Sequence, residues 1–153
     1  MTSYRRSLDL PYRPEDLFDL VVDVRRYPEF VTWVRELSVL REEKTEDRWR
    51  GAAKAVIGFG GFSETFTTDI DARADDRAID VNLVRGPFRK LRNTWRFTST
   101  ATGTRIDVLI EFEFRNFLLQ ALADANRDFA VNRLIHSFVS EAARRYGKVP
   151  APV

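Results

Sequence analysis

The run NFLLQALADANRDFAVNRLIHSFVSEAARRY, Asn116 to Tyr146, decides the reading of this chain. It holds neither Pro nor Gly, and Gly147 follows it where a C-cap glycine belongs. Arg144, Arg145 and Lys148 gather at that end, where positive charge suits the helix dipole. Leu118, Leu122, Ala125 and Phe129 recur at spacings of three and four, and the stripe then drifts to Ile135, Phe138, Val139 and Ala142. A stripe that wide predicts one helix lying deep against a curved surface. Asn132 and His136 fall at helical spacing from Phe129 and are expected on the same side; His136 is the chain's only histidine.

What precedes this helix alternates as strands do. Tyr4, Arg6, Leu8 and Leu10 oppose Arg5, Ser7 and Asp9, and Pro11 ends the run. Pro14 suits a first helical turn, with Glu15 and Asp16 at the positive dipole end and Leu17, Phe18, Val21 and Val22 as the apolar face. A second short helical piece covers Arg26 to Trp33, interrupted near Pro28. Strands then follow in series over 34–42, 48–57, 62–72, 79–83, 89–99 and 104–114, joined by turns short enough to make neighbours antiparallel. Leu91, Asn93, Trp95 and Phe97 share one face, as do Ile106, Val108, Ile110, Phe112 and Phe114. A seven-stranded antiparallel sheet with one apolar face must cover it, and the terminal helix is the element long enough to do so. The expected fold is α+β, the sheet curled round the long C-terminal helix and the two short helices closing one open end. Residues 1–147 form one domain in this reading, and 148–153, with two prolines, a flexible tail.

Composition narrows the chemistry. The 153 residues include no Cys, which excludes disulfides and thiolate sites, and one histidine argues against a protein zinc site. Twelve phenylalanines argue for an apolar interior or cavity. The net charge is only +2 and the basic residues are mostly arginine, an arginine preference more than a dedicated polyanion site. No apolar run reaches the ~18–20 residues that span a bilayer. Arg5 and Arg6 are not followed by an apolar stretch of the signal-peptide kind, so a cytoplasmic protein, soluble or peripheral at the inner membrane, is expected.

The element order, together with Tyr27-Pro28-Glu29-Phe30-Val31-Thr32-Trp33, Gly86-Pro87-Phe88-Arg89-Lys90-Leu91 and Phe112-Glu113-Phe114, resembles the polyketide cyclase/START-like helix-grip proteins, a START/Bet v 1-like fold. Within them it is similar to the branch holding the coenzyme Q-binding proteins and the ribosome association toxin. The resemblance covers residues 3 to 147 and implies an internal cavity between sheet and helix. It implies ubiquinone or a related polyprenyl lipid as bound ligand, with no other cofactor, in support of respiratory electron transfer or quinone biosynthesis. It also implies the large ribosomal subunit as a partner. It carries over no catalytic residues, and a cyclase-like enzyme is the remaining alternative.

The residues that would form such a ligand site are inward aromatics and small residues with isolated polar groups among them. On the 48–57 strand Trp49, Gly51, Ala53, Ala55 and Ile57 share a face with room on it. Trp33, Phe66, Trp95, Phe112 and Phe129 supply large apolar walls, and Glu64, Asn93, Asn132 and His136 could orient quinone oxygens. Each of those four polar residues could equally sit at the cavity mouth or pair internally. The loop around Ile57, Phe59, Gly60 and Gly61 reads either as a gate or membrane-dipping loop, or as a bulged hairpin. Arg85, Arg89, Lys90, Arg92 and Arg96 form a basic group that could meet RNA phosphates or anionic lipid heads, unless Asp107, Glu111 and Glu113 on the next strand neutralise it.

Overall fold

The computed structural model describes residues 2–59 and 61–147, with Phe59 described by its backbone only. Strand β1 (Thr2–Leu10) leads into α1 (Pro14–Val22), a 3-10 turn (Val24–Arg26) and α2 (Tyr27–Phe30). Six strands follow: β2 (Val34–Lys44), β3 (Arg48–Phe59), β4 (Phe62–Arg73), β5 (Ala78–Arg85), β6 (Phe88–Thr100) and β7 (Gly103–Phe114). The chain then forms α3 (Phe117–Ala125) and α4 (Arg127–Tyr146). All pairings are antiparallel, in the order β1-β7-β6-β5-β4-β3-β2. The sheet is therefore a meander from β2 to β7, with β1 added beyond β7.

The expected single helix is two. Asn126 breaks it, at φ −114° and ψ 15°, with its side-chain amide donating to the Leu122 carbonyl at 2.8 Å. An Asn side chain that bonds the preceding turn competes with helix continuation. The break changes which face points inward. Val131, Ile135, Phe138 and Ala142 are the buried face of α4, while Leu118 and Phe129, expected on that stripe, are exposed.

Helix α4 lies in the concave face of the sheet and meets both of its edges. Arg6 on β1 donates to the Asn132 carboxamide, and Arg133 reaches the Thr32 hydroxyl just before β2 at 3.4 Å. Its C-terminal end is locked to the short helices. Tyr146 donates to the Asp16 carbonyl at 2.8 Å and Arg145 to Asp23 at 3.1 Å. Glu141, only 5% exposed, accepts from both Arg144 and Arg145, at 2.6–2.8 Å. These guanidinium hydrogen bonds hold its carboxyl down to about 2. At the β1 end Gly103 is required: at φ +154° its Cβ would stand 2.1 Å from the Leu10 carbonyl oxygen.

Two apolar clusters result. The larger joins α1, α2 and α4 to the sheet through Leu17, Leu20, Ile79, Trp95, Phe97, Ile106, Val108, Ile135 and Phe138. The smaller lies at the other end of the sheet, where Leu119 of α3 seats against Phe88 and Phe114.

Candidate functional site

Strand alternation puts Tyr4, Arg6, Val81, Leu83, Leu91, Asn93, Ile110 and Phe112 on the same inward face as the buried Ile79, Trp95, Phe97, Ile106 and Val108. Burial along that face is graded. On β5, β6 and β7 the inward side chains nearest α1 are buried, and those further along are half-exposed up to the buried pair Phe88 and Phe114. Cross-strand neighbours Tyr4, Ile110, Asn93 and Val81 form one half-exposed row, and Phe112 with Leu91 belongs to the next. Phe66, Leu83, Leu91 and Phe112 pack against the smaller cluster; Tyr4, Val81 and Ile110 pack against the larger. Between the two clusters the inward face thus carries a strip of half-exposed apolar side chains, the candidate groove.

The filled end offers no room. The gap among Trp95, Ile106, Ile135 and Phe138 measures about 10 Å³, at the limit for one water. Trp95 is 4% exposed with its ring 5.1 Å from Phe138, and Ala53 is equally buried. These two expected wall residues are core residues. They were expected to face open space because strand alternation gives direction, whereas filling depends on what α4 brings.

Polar groups in the groove are few. Asn93 is committed to the protein: its carboxamide nitrogen donates to the Leu109 carbonyl at 2.8 Å and its oxygen accepts from the Trp95 indole at 2.7 Å. The buried Thr68 lies opposite Leu83 on the same row. Arg6, unremarked as a site residue in the sequence although it interrupts the Tyr4/Leu8/Leu10 face, supplies a cation bridged to Asn132. Glu64, half-exposed opposite Ile57, has no hydrogen bond or ion pair among the described residues.

Of the expected ligand residues, the fold brings Glu64, Phe66, Asn93 and Phe112 to one groove. Trp33 stands at the same end of the sheet, its carbonyl accepting from Gly58 N–H at 2.9 Å. Phe129 and His136 are not in it. Phe129 points to solvent under the Arg133 guanidinium, and His136 is exposed, 3.3 Å from the Ser140 hydroxyl one turn on. The continuous-helix assumption carried both to the wrong side. Asn132 is exposed on the flank of α4 and touches the groove only through Arg6.

Trp49 belongs elsewhere. Its ring folds over Gly51 and it lines a wide cleft of about 650 Å³ between α1 and the β2–β3 hairpin, at the opposite end of the fold. This is the larger cavity, but its polar walls are largely self-paired. Arg25 forks onto Glu42 at 2.9 and 3.1 Å, Trp49 donates to Glu42 at 2.9 Å, and Arg48 forks onto Asp71 at 2.9 Å. Burial pushes the Asp19 carboxyl in its wall upward.

The residues expected to gate or dip into a membrane lie at the β3–β4 connection. Phe59 pairs with Phe62 across it, and Gly61 stands at φ +84°. Ile57 is buried in β3, not presented by a loop. Gly60 and the Phe59 side chain lie outside the described residues. The basic group is also partly neutralised. Lys90 and Arg92 face Glu111 at 4.0 and 3.6 Å, and Arg96 bonds Asp80 at 2.9 Å; Arg85 and Arg89 are exposed with no partner among the described residues.

Residues 10–139 match the family model for polyketide cyclase/dehydrase and lipid transport. The chain belongs to that family. Its fold is the START/Bet v 1-like helix grip. A Caulobacter crescentus protein of 18 kDa solved in solution is 37% identical, with a TM-score of 0.81 over 97% of this chain and 100% of that one. The ribosome association toxin RatA of Pseudomonas aeruginosa is 33% identical over 95% of this chain and 99% of its own length. The mitochondrial coenzyme Q-binding protein COQ10 homolog B of Xenopus laevis is 28% identical over 98% of this chain and 62% of its own. The members similar to this chain thus include one named for a lipid ligand and one named for the ribosome.

Proposed function

We propose that the protein binds ubiquinone or a related polyprenyl lipid in the groove between α4 and the sheet and acts as a carrier or chaperone for it. Its place would be in respiratory electron transfer or quinone biosynthesis. The observation that carries this reading is the row of inward apolar side chains left half-exposed between two packed clusters. Such surface gains roughly 25 cal/mol per Å² when a ligand covers it, before ordering costs. The Arg6 guanidinium, the second Asn93 amide hydrogen and the Thr68 hydroxyl are donors that suit carbonyl and methoxy oxygens. The COQ10 relative supports the ligand class. Retention rather than turnover is supported by the position of His136 outside the groove, which leaves Glu64 without an acid–base partner there.

The test is direct. An organic extract of the purified protein is analysed by mass spectrometry, and a short-chain ubiquinone is titrated while tryptophan fluorescence is followed. Leu83→Trp and Leu91→Trp should each fill the groove and abolish quenching while the melting temperature stays near that of the parent. A protein that carries no lipid and shows neither quenching nor thermal stabilisation with short-chain quinone lacks this function.

The relatives named as ribosome association toxins favour a second reading, binding to the large ribosomal subunit. Its contacts would fall to Arg85 and Arg89, which have no partner among the described residues, more than to the paired Lys90, Arg92 and Arg96. Co-sedimentation with large subunits that weakens steeply with salt and is lost on reversing Arg85 and Arg89 to Glu would establish it.

A further inference from the structure

Helix α3 is apolar on both sides. Its inner side seats Leu119 against Phe88 and Phe114, with Ala123 packed beside it. Its two polar side chains, Gln120 half-exposed and Asp124 exposed, bond back to the protein. Gln120 donates to the Thr2 hydroxyl at 2.9 Å and to Asp124 at 3.1 Å, accepts from Phe114 N–H at 2.7 Å, and Thr2 itself donates to Asp124. The outer face is left to Phe117, Leu118, Ala121 and Ala125, with Phe117 82% and Leu118 71% exposed. Phe129, in the first turn of α4, adds a ring 64% exposed. In water a helix apolar all round is a buried helix, and here half of it has nothing upon it.

The surroundings are cationic. Arg115 precedes α3 and is tied to the β5–β6 turn, its N–H donating to the Pro87 carbonyl at 2.8 Å and its side chain to that of Phe88 at 3.1 Å. Arg85 and Arg89, with no partner among the described residues, flank that turn. Arg127 and Arg133 follow on α4. Against these five arginines stand Asp124, exposed but held by Thr2 and Gln120, and Asp128, already facing Arg127 at 3.5 Å. All of this lies at the end of the sheet where the groove opens.

We propose that the outer face of α3, with Phe129, docks on an anionic lipid bilayer, so that the groove mouth meets the membrane and an apolar ligand passes without crossing water. The role in transfer rests on the lipid-binding reading; the docking itself does not. Apolar side chains ringed by arginine are the composition of an interfacial helix on anionic lipid. Ribosomal RNA would use the arginines but gives no apolar phase in which to bury Phe117, Leu118 and Phe129.

The experiment is co-sedimentation of the full chain with quinone-free vesicles of phosphatidylcholine alone, or with phosphatidylglycerol added. Binding is expected to the anionic vesicles and to fall as salt rises. Phe117→Asp combined with Leu118→Asp should cut partitioning by about tenfold or more, while melting temperature and short-chain quinone binding stay unchanged, since both side chains are exposed. Arg85→Glu with Arg89→Glu should weaken docking severalfold. In Leu118→Trp the fluorescence should shift to the blue on anionic vesicles only. Parent protein that ignores anionic vesicles, or a double aspartate variant that docks like the parent, overturns the proposal. So does a surface whose aspartate variant loses large-subunit binding while the parent never docks on lipid. Docking by a protein that binds no quinone sustains this inference and removes the carrier function; quinone binding without docking does the reverse.

Discussion

The Trp95 indole nitrogen donates to the Asn93 carboxamide oxygen at 2.7 Å, two residues along the same inward face of β6. Trp95 belongs to the filled core and Asn93 to the open groove, so this bond sits on the border between them. Asn93→Ala should leave a buried indole N–H unpartnered and destabilise the fold by about 1–3 kcal/mol, read from the urea midpoint. Its effect on quinone affinity should be smaller. A variant with parental stability and lost affinity would show that Asn93 serves the ligand and not the border with the core.

Ala53→Trp tests where the free space is. Ala53 is fully packed in β3, opposite Thr68 and Val39. An indole there overpacks the core and should destabilise by about 1–3 kcal/mol or more. Leu91→Trp, on the half-exposed row, should cost far less. Comparable melting temperatures for the two variants would contradict the graded filling of the concave face.

His136→Ala should change neither quinone affinity nor stability by more than about 0.5 kcal/mol, as expected of an exposed side chain away from special features. Fluorescence titration and thermal melting measure both. A clear loss of affinity would bring the helix's outer side into the site.

Glu141 gives the fold an acid-sensitive lock. Its carboxyl falls from an ordinary value of 4.5 to about 2 because Arg144 and Arg145 donate to it. A depressed folded-state value makes its contribution full above the unfolded value and progressively lost as pH drops through 4.5 toward 2. By linkage that contribution is up to about 3 kcal/mol. The urea midpoint of the parent should fall over that window, and Glu141→Gln should flatten that part of the profile while lowering stability at pH 7. A parallel pH profile in the variant would show that the lock lies elsewhere.

Much of the fold is legible in the residues. Period-two alternation gives the strands and their inward faces, Pro11 marks where β1 stops and Pro14 where α1 starts. The helix-grip arrangement follows from one apolar sheet face needing a cover. Asn126 escapes because nothing separates a capping Asn from an exposed helical Asn in a run otherwise free of breakers. That single miss carried Phe129 and His136 to the wrong side and hid the apolar outer face of α3.

The sequence by itself determined which side of each strand faces inward, because successive side chains alternate whatever lies above them. It therefore placed Glu64, Phe66, Asn93 and Phe112 on the concave face. Only the tertiary structure decided which inward positions are core and which are groove. That division depends on where α4 and the short helices press on the sheet: they bury Trp95 and Ala53 and send Trp49 to another cleft. They leave the two rows at Leu91 and Asn93 open, since the Asn126 break turns α3 away onto the rim.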